Sequence, residues 1–405
     1  VGQGGRLDIV TARGERLHVG SGTAEPIVIT FADHAAELSL LADPEVRLGE
    51  LYMDGRLTVG DGQLYDFIEM LMRGRYRQVP PLHMRVLDQT RVALRRVNQR
   101  NSAKRAKRNV AHHYDLDSRL YQLFLDPDMQ YSCAYFEHAG QALAEAQAAK
   151  CRHIAAKLCI EPGMRVLDIG SGWGGLGIYL AQTAGAERVR GITLSQEQLQ
   201  ISRHRAVERS LAGRVSFDLI DYRQIDETFD RIVSVGMFEH VGMPYYPAFF
   251  QSAAKMLKPD GKMLLHTIGS SDGPGFVTPW LDKYIFPGGY IPGLSEIVPA
   301  IEQAGLLITD IEVLQLHYAE TLKAWRSKFM SRWNEAAHLY DERFCRMWEF
   351  YLAGSEAAFR CENLNVFQLQ LSKRPAQAPT TRDYIAAREA SLRNAEVRSK
   401  VAAAE

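Results

Sequence analysis

Residues 166–175 read VLDIGSGWGG. An apolar, β-rich run (Met164, Val166, Leu167, Ile169) carries the acid Asp168 and passes into Gly170, Gly172, Gly174 and Gly175, after which a helical pattern begins. The order is strand, tight turn, helix start. Glycines at such a turn take positive φ and let the backbone approach a ligand, and the helix N-terminus offers free N–H groups to a carboxylate or phosphate. An ordinary βα turn also carries a G-x-G for packing alone.

The spacing does not complete the G-x-G-x-x-G dinucleotide pattern, because Gly174 comes too early and Gly177 falls inside the helix. With Asp168 beside the turn, the string resembles motif I of S-adenosylmethionine-dependent methyltransferases, where the glycine loop receives the methionine part of the cofactor.

Strands are expected on either side of this motif at 163–169, 187–193, 214–219, 229–236, 261–269, 307–316 and 365–373, with helices between most of them. Alternation of this kind implies an α/β fold, a mostly parallel sheet covered by helices on both faces. Ligands in such sheets bind at the carboxyl ends of the strands. Residues 1–90 read as a small α+β domain, with short strands in RLDIV, RLHVG and PIVITF and helices at 33–42, 45–53 and 63–73. Residues 91–112 read as a basic linker or surface helix and 113–405 as the main domain. The tail after Pro379 reads as an exposed helix.

The 405 residues carry 48 Lys plus Arg against 48 Asp plus Glu, so overall charge points to no partner. Locally, Arg91, Arg95, Arg96, Arg100, Lys104, Arg105, Lys107 and Arg108 follow one another without an acid. Such a run suits an anionic surface, phospholipid or nucleic acid, or simply a solvated face. Five cysteines without C-x-x-C spacing argue against a disulfide framework or zinc site, so no metal is expected and a reducing cytoplasm is. No signal-length or membrane-spanning apolar run is visible, so any membrane contact is expected to be peripheral.

A cofactor on the glycine loop would meet the ends of the next strands. GITLSQEQ at 191–198 offers Thr193, Ser195, Gln196 and Gln198 for ribose hydroxyls, and Asp221 and Tyr222 offer a carboxylate for an amine and a ring for a base. SVGMFEHVG at 234–242 places Glu239 and His240 just past the fourth strand, over the reacting position. His266 and Tyr318 reach the same edge, and Cys133 precedes the sheet. Taken singly, a histidine or cysteine in these places is more often a core residue. Leu322, Trp325 and Phe329, and Phe344, Met347, Trp348, Tyr351 and Leu352, form helical apolar stripes that read as core faces or, alternatively, as a wall for an acyl chain.

Assembled, YDLDSRLYQLFLD, MQYSCAYF, VLDIGSGWGG, GITLSQEQ, FDRIVSVGMFEHVG, FPGGYIP and HYAETLKAW stand in the order found in cyclopropane-fatty-acyl-phospholipid synthases and the related mycolic acid cyclopropane synthases. The resemblance covers about 110–375 and extends more loosely to LGELYMDGRL at 48–57. It implies a class I, Rossmann-like methyltransferase domain with a seven-stranded sheet, plus an N-terminal lipid-binding domain. By position it implies that Tyr131, Ser132, Gly170, Ser171, Gly172, Trp173, Gly174, Thr193, Gln198 and Tyr222 contact S-adenosylmethionine, joined by Asp168 and Asp221. It implies that Cys133, Glu239, His266, the backbone at Ile268, and Tyr318 hold a bicarbonate ion, a set matched here in full. A cysteine that some members carry before the last strand is Ser355 here, so no thiol is assigned there.

The chemistry explains these residue types. An alkene is a poor nucleophile, so methylation passes through a carbocation-like state in a dry pocket, and a proton must then leave the added methyl. A held anion both stabilises the cation and accepts the proton, help typically worth about 10²–10⁴ in rate. PGFVTPWLDKYIFPGGYIPGL at 274–294 suits a lid or lipid channel as well as an ordinary loop, with Tyr284, Phe286 and Tyr290 as ring faces for the cation. The expected activity is methylene transfer onto an unsaturated phospholipid acyl chain, at an anionic membrane surface rather than on nucleic acid. A homodimer is implied by the resemblance. Rivals are a branched-chain lipid methyltransferase, a small-molecule methyltransferase, and a lipid carrier with a vestigial core.

Overall fold

The computed structural model describes residues 5–22, 25–60, 62–75, 90, 99, 116–274, 277–375 and 379–402. The basic segment at 91–108 lies outside them apart from Gln99. From the amino end run β1 (Leu7–Val10), β2 (Arg16–Val19), β3 (Ile27–Phe31), α1 (His34–Ala42), α2 (Pro44–Met53), β4 (Leu57–Val59) and α3 (Leu64–Arg75). Next come α4 (Ser118–Phe124), α5 (Leu143–Leu158), β5 (Arg165–Ile169), α6 (Gly175–Gln182), β6 (Arg188–Thr193), α7 (Gln196–Glu208), β7 (Val215–Leu219) and β8 (Phe229–Val235). The remainder is α8 (Tyr246–Met256), β9 (Leu257–Ser270), α9 (Pro279–Tyr284), α10 (Leu294–Gln303), β10 (Leu307–Val313), α11 (His317–Ser331), α12 (Trp333–Leu339), α13 (Glu342–Cys361), β11 (Leu364–Ser372) and α14 (Asp383–Ala402).

These elements divide into two compact units that do not follow the expected boundaries at 90 and 113. The first draws on Val1–Arg95, Phe276–Pro287 and Tyr318–Leu364, the second on Arg96–Gly275, Gly288–His317 and Asn365–Glu405.

The first unit holds a four-stranded sheet in the order β2-β1-β3-β4, of which β4 was not expected from the sequence. Leu7, Ile29 and Phe31 pack there against Ala36, Leu51 and Phe67. What draws later residues into this unit is side-chain chemistry. Tyr52 Oη donates to Glu349 (2.6 Å), and Lys283 Nζ and Tyr284 Oη both donate to buried Glu50 (2.6 and 2.8 Å). Leu64 and Ile68 of α3 pack on Ala353 and Ala357 of α13. The aromatic stripes read from the sequence are core faces: Leu322, Trp325, Phe329, Trp348 and Leu352 are all buried.

The second unit is a seven-stranded sheet in the order β10-β11-β9-β8-β5-β6-β7. β5 to β9 run parallel to one another, while β10 is antiparallel to β11. The seven expected strands are all present; β9 starts four residues early, at Leu257. Apolar side chains alternate between two cores. One, with Leu167, Ile232 and Leu265, lies under α8 and α10; the other, with Val166, Val233 and Leu264, lies under α5, α6 and α7.

The helix that precedes β5, α5, begins at Leu143. The carboxyl-terminal helix α14 is not the free surface helix the composition suggests. Glu389 meets His153 Nδ1 at 2.6 Å, Glu396 accepts from Arg152 (2.6 Å) and Tyr179 Oη (2.6 Å), and Arg388 reaches the Ile160 carbonyl (2.9 Å). Its charges are spent on α5 and its neighbours, which docks it without an apolar stripe.

Candidate active site

At the carboxyl ends of β5, β6, β7 and β8 a cleft is lined by Tyr131, Ser132, Asp168, Gly170, Ser171, Gly172, Trp173, Thr193, Gln198, Asp221, Tyr222 and His240. Gly170, Gly172 and Gly174 take φ of 84°, 54° and 83°. A Cβ on Gly170 would stand 2.6 Å from the Met237 Cβ and one on Gly174 2.6 Å from the Phe217 ring, so the turn demands glycine for space as well as conformation. Gly174 ends the loop as the cap residue of α6 rather than as a wall of the cleft.

Several polar atoms here lack a partner among the described residues. Asp168 Oδ2, Ser171 Oγ and Trp173 Nε1 are buried and unsatisfied, an arrangement that costs free energy unless a ligand completes it. Burial pushes the Asp168 carboxyl up to about 7, against the pull of the nearby Lys150 charge.

The other expected cofactor residues are arranged by one another. Thr193 Oγ1 donates to Gln198 Oε1 (2.8 Å), fixing both at the end of β6. Ser195, offered above as a ribose contact, instead caps α7 by accepting from the Gln198 N–H (3.2 Å), and Gln196 is exposed. Asp221 lines the cleft, but both its oxygens accept from Arg223 (2.8 Å each), so an amine must share it. Tyr222 stands edge-on to Phe249 (5.2 Å), and Tyr131 packs edge-on to Tyr121 (5.3 Å) and Trp173 (6.5 Å).

Lys150 was missed from the sequence. It is fully buried and donates to Gln130 Oε1 (2.5 Å) and Ser132 Oγ (2.8 Å), shaping the segment that carries Tyr131 and Ser132. Burial lowers its pKa. Its only signal is a lysine among the Ala-rich first half of LAEAQAAKCRHIAAKL.

Glu239 sits in a single helical turn after β8, between the cleft residues Met237 and His240. Its Oε1 accepts from the Ile268 N–H (2.7 Å), so two members of the expected anion-holding set meet directly. Oε2 is buried without a partner among the described residues. Burial pushes the Glu239 carboxyl up to about 7 despite the Ile268 bond. His266, on β9 and paired in register with the cleft residue Val235, is buried. Burial first, then the charges of Lys150, Lys157 and His153, pull it down to about 3, so the ring is neutral. Gln368 Nε2 lies 3.2 Å from Nδ1 and can only donate, which leaves the proton on Nε2. That Nε2 is buried and unsatisfied among the described residues. Burial likewise pulls His240 down to about 4.

Cys133 is buried, its thiol donating weakly to the Ala134 carbonyl (3.3 Å). Tyr318 belongs to the first unit, where its ring packs on Phe359 (4.8 Å) and Trp325 (5.9 Å). Of the aromatics expected to face a cation, Tyr284 bonds Glu50, Phe286 packs edge-on to Tyr351 (5.6 Å), and buried Tyr290 donates through Oη to Glu296 (2.8 Å) and through its N–H to the Glu239 carbonyl (3.0 Å).

Residues 101–369 match the model of the family described as mycolic acid cyclopropane synthetase. The chain belongs to this family. It is 41% identical over 334 residues to the cyclopropane-fatty-acyl-phospholipid synthase of Escherichia coli K12, covering 82% of this chain and 85% of that one. It is also 41% identical over 284 residues to a tuberculostearic acid methyltransferase of Mycobacterium tuberculosis, covering 67% and 66%. Among solved structures, a cyclopropane synthase of M. tuberculosis superposes with a TM-score of 0.62 at 36% identity, covering 66% of this chain and 98% of that one. A mycolic acid cyclopropane synthase complexed with SAH and CTAB gives 0.62 at 34%, covering 65% and 97%. This family member is thus an enzyme of the S-adenosylmethionine-dependent methyltransferase class, and the glycine cradle with its orphaned Asp168 and Ser171 atoms fits that cofactor.

Proposed function

We propose that this enzyme adds a methylene from S-adenosylmethionine across the cis double bond of an unsaturated phospholipid acyl chain, forming a cyclopropane, with bicarbonate held as the proton acceptor. The observation that carries the reading is the pair of buried, unsatisfied atoms at one strand edge, Glu239 Oε2 and His266 Nε2. Raised to about 7 by burial, the Glu239 carboxyl can hold a proton and offer an O–H; neutral His266 offers an N–H. Two buried donors at this edge fit a small anion. Cys133 and Ile268 complete the proposed set within this unit. Tyr131, Ser132, Asp168, the loop from Gly170 to Gly174, Thr193, Gln198, Asp221 and Tyr222 are proposed to hold the cofactor.

Bound S-adenosylmethionine supplies the electrophilic methyl, and bicarbonate would supply the base. The protein's part is to exclude water, orient the donors and keep His266 in one tautomer through Gln368, so that an anion is favoured without a full negative charge on Glu239. Such fixed donors act without reorganising during reaction. The first unit is proposed to bind lipid, and the basic segment at 91–108 to dock on the anionic inner face of the membrane. No helix among the described residues is long and apolar enough to cross one. A homodimer completes the proposal.

A branched product is the second reading, favoured by the likeness to the tuberculostearic acid methyltransferase. It differs only in which carbon loses the proton. Incubation with dioleoyl phosphatidylglycerol vesicles and S-adenosylmethionine is expected to raise lipid mass by one CH₂, with cyclopropyl signals in the proton NMR spectrum. Methyl- or methylidene-branch signals would establish the second reading, and no mass gain on any unsaturated phospholipid would reject both.

A further inference from the structure

A second cleft, of about 360 Å³, opens at the amino ends of β5, β8 and β9, the edge of the sheet opposite the glycine loop. Arg231 and Lys262 line it. They are register partners on the parallel neighbours β8 and β9, and strand alternation sets both on the face of Val233 and Leu264 that α5 covers. Both are buried, at 6% and 5% exposure. Two like charges side by side on paired strands repel, and a buried cation without a counter-charge is costly.

Neither cation has a carboxylate at ion-pair distance among the described residues, although Asp230 and Glu161 stand near enough to favour the Arg231 charge. Arg231 donates to the carbonyls of Leu158, Asp230 (2.8 Å) and Cys159 (3.1 Å). The first and last lie at the carboxyl end of α5, whose dipole offsets only part of one charge. The Lys262 ammonium has no hydrogen bond or ion pair among the described residues. The acids of the cleft are engaged elsewhere: Asp230 by Lys258 Nζ (2.9 Å) and the Arg165 N–H (2.9 Å), Glu161 by Arg388 (3.1 Å), and Asp260 by Arg374 (3.5 Å).

We propose that this cleft binds a phosphate-bearing anion, its oxygens taken by the Lys262 ammonium and the remaining N–H groups of Arg231, with Arg388 at the mouth. Two adjoining cations match a dianion better than a single carboxylate, since charge-assisted bonds to phosphate oxygens answer both donors at once; Arg388, held by Glu161 and the Ile160 carbonyl, borders the mouth. The size is within the range of small-ligand sites, roughly 300–1,000 Å³. The site is independent of the proposed lipid chemistry, and a chain inactive on every lipid would still bind there.

The test is thermal melting of the full chain saturated with S-adenosylhomocysteine, which removes the catalytic cleft as a competing site. Inorganic phosphate, and in a second arm glycerol 3-phosphate, is titrated against sodium chloride of equal ionic strength. A saturable rise in Tm with phosphate alone assigns a free phosphate ligand, and a rise with both assigns a phosphomonoester of the head-group kind. Lys262→Met is expected to abolish the rise, to leave S-adenosylhomocysteine affinity unchanged, and to melt no lower than wild type without phosphate. Should it melt lower, Arg388→Gln decides, with phosphate affinity expected to fall several-fold. No saturable rise in the wild type with either anion, or an undiminished rise in the deciding variant, overturns the proposal.

Discussion

The two ends of the seven-stranded sheet carry opposite debts. At its carboxyl edge, Asp168 and Glu239 are buried acids with an oxygen left unpartnered and pKa values pushed up to about 7. At its amino edge, Arg231 and Lys262 are buried cations with no carboxylate at ion-pair distance among the described residues. Elsewhere in the same unit, a cluster of buried charges is matched: His153 between Glu312 (2.8 Å) and Glu389 (2.6 Å), and Lys157 on Asp310 (3.4 Å) and Glu312. Set beside that paired cluster, the unpartnered atoms at the two edges read as sites and the His153 cluster as architecture.

Glu239→Met, which removes the donor, offers the strongest way to break the comparison. Turnover is expected to fall about 10²–10³-fold, the size of one lost fixed donor to an anion, while S-adenosylhomocysteine affinity measured by calorimetry stays within about twofold. Unchanged turnover would show that the orphaned oxygen is not part of the site.

Asp168→Asn acts on the other half of the same edge. Affinity for S-adenosylhomocysteine is expected to drop roughly tenfold, the worth of one charge-assisted bond. Stability without ligand sharpens the point. Between pH 4 and 7 the unfolded chain ionises this carboxyl while the native chain retains its proton, so the wild type loses stability as pH rises through that window. The asparagine variant lacks this loss. Its Tm relative to wild type is therefore expected to climb from pH 4 to pH 7; His240 and His266, whose lowered pKa values slope the other way, are common to both proteins and cancel. A constant difference would mean that Asp168 ionises normally.

The smallest expected effect is that of Gln368→Met. Losing the donor to His266 Nδ1 frees the ring to take its other tautomer, and turnover is expected to fall about five- to tenfold, the effect of one lost hydrogen bond, with cofactor affinity unchanged. Full activity would place the control of that proton elsewhere.

The parallel sheet was legible because its strands are short apolar runs punctuated by glycine and acid, and the glycine turn because only glycine tolerates its φ and its neighbours. The first unit was not legible as a whole. Its tie to 276–287 and 318–364 runs through Glu50, Tyr52, Leu64 and Ile68, whose partners are more than 200 residues away. An apolar stripe such as that of α13 announces burial without naming what covers it. The helix α14 misled for the opposite reason: it docks through ion pairs, which composition reads as solvent exposure.

Local pattern by itself determined the strands, the glycine cradle and most candidate residues, since those depend on neighbours in the chain. Tertiary structure alone decided which polar atoms go unpaired: that Ile268 takes Glu239, that Gln368 sets the proton on His266, that Arg223 occupies Asp221, and that Arg231 falls beside Lys262. Charge and protonation depend on what is excluded from around a group, and exclusion exists only once distant segments have packed.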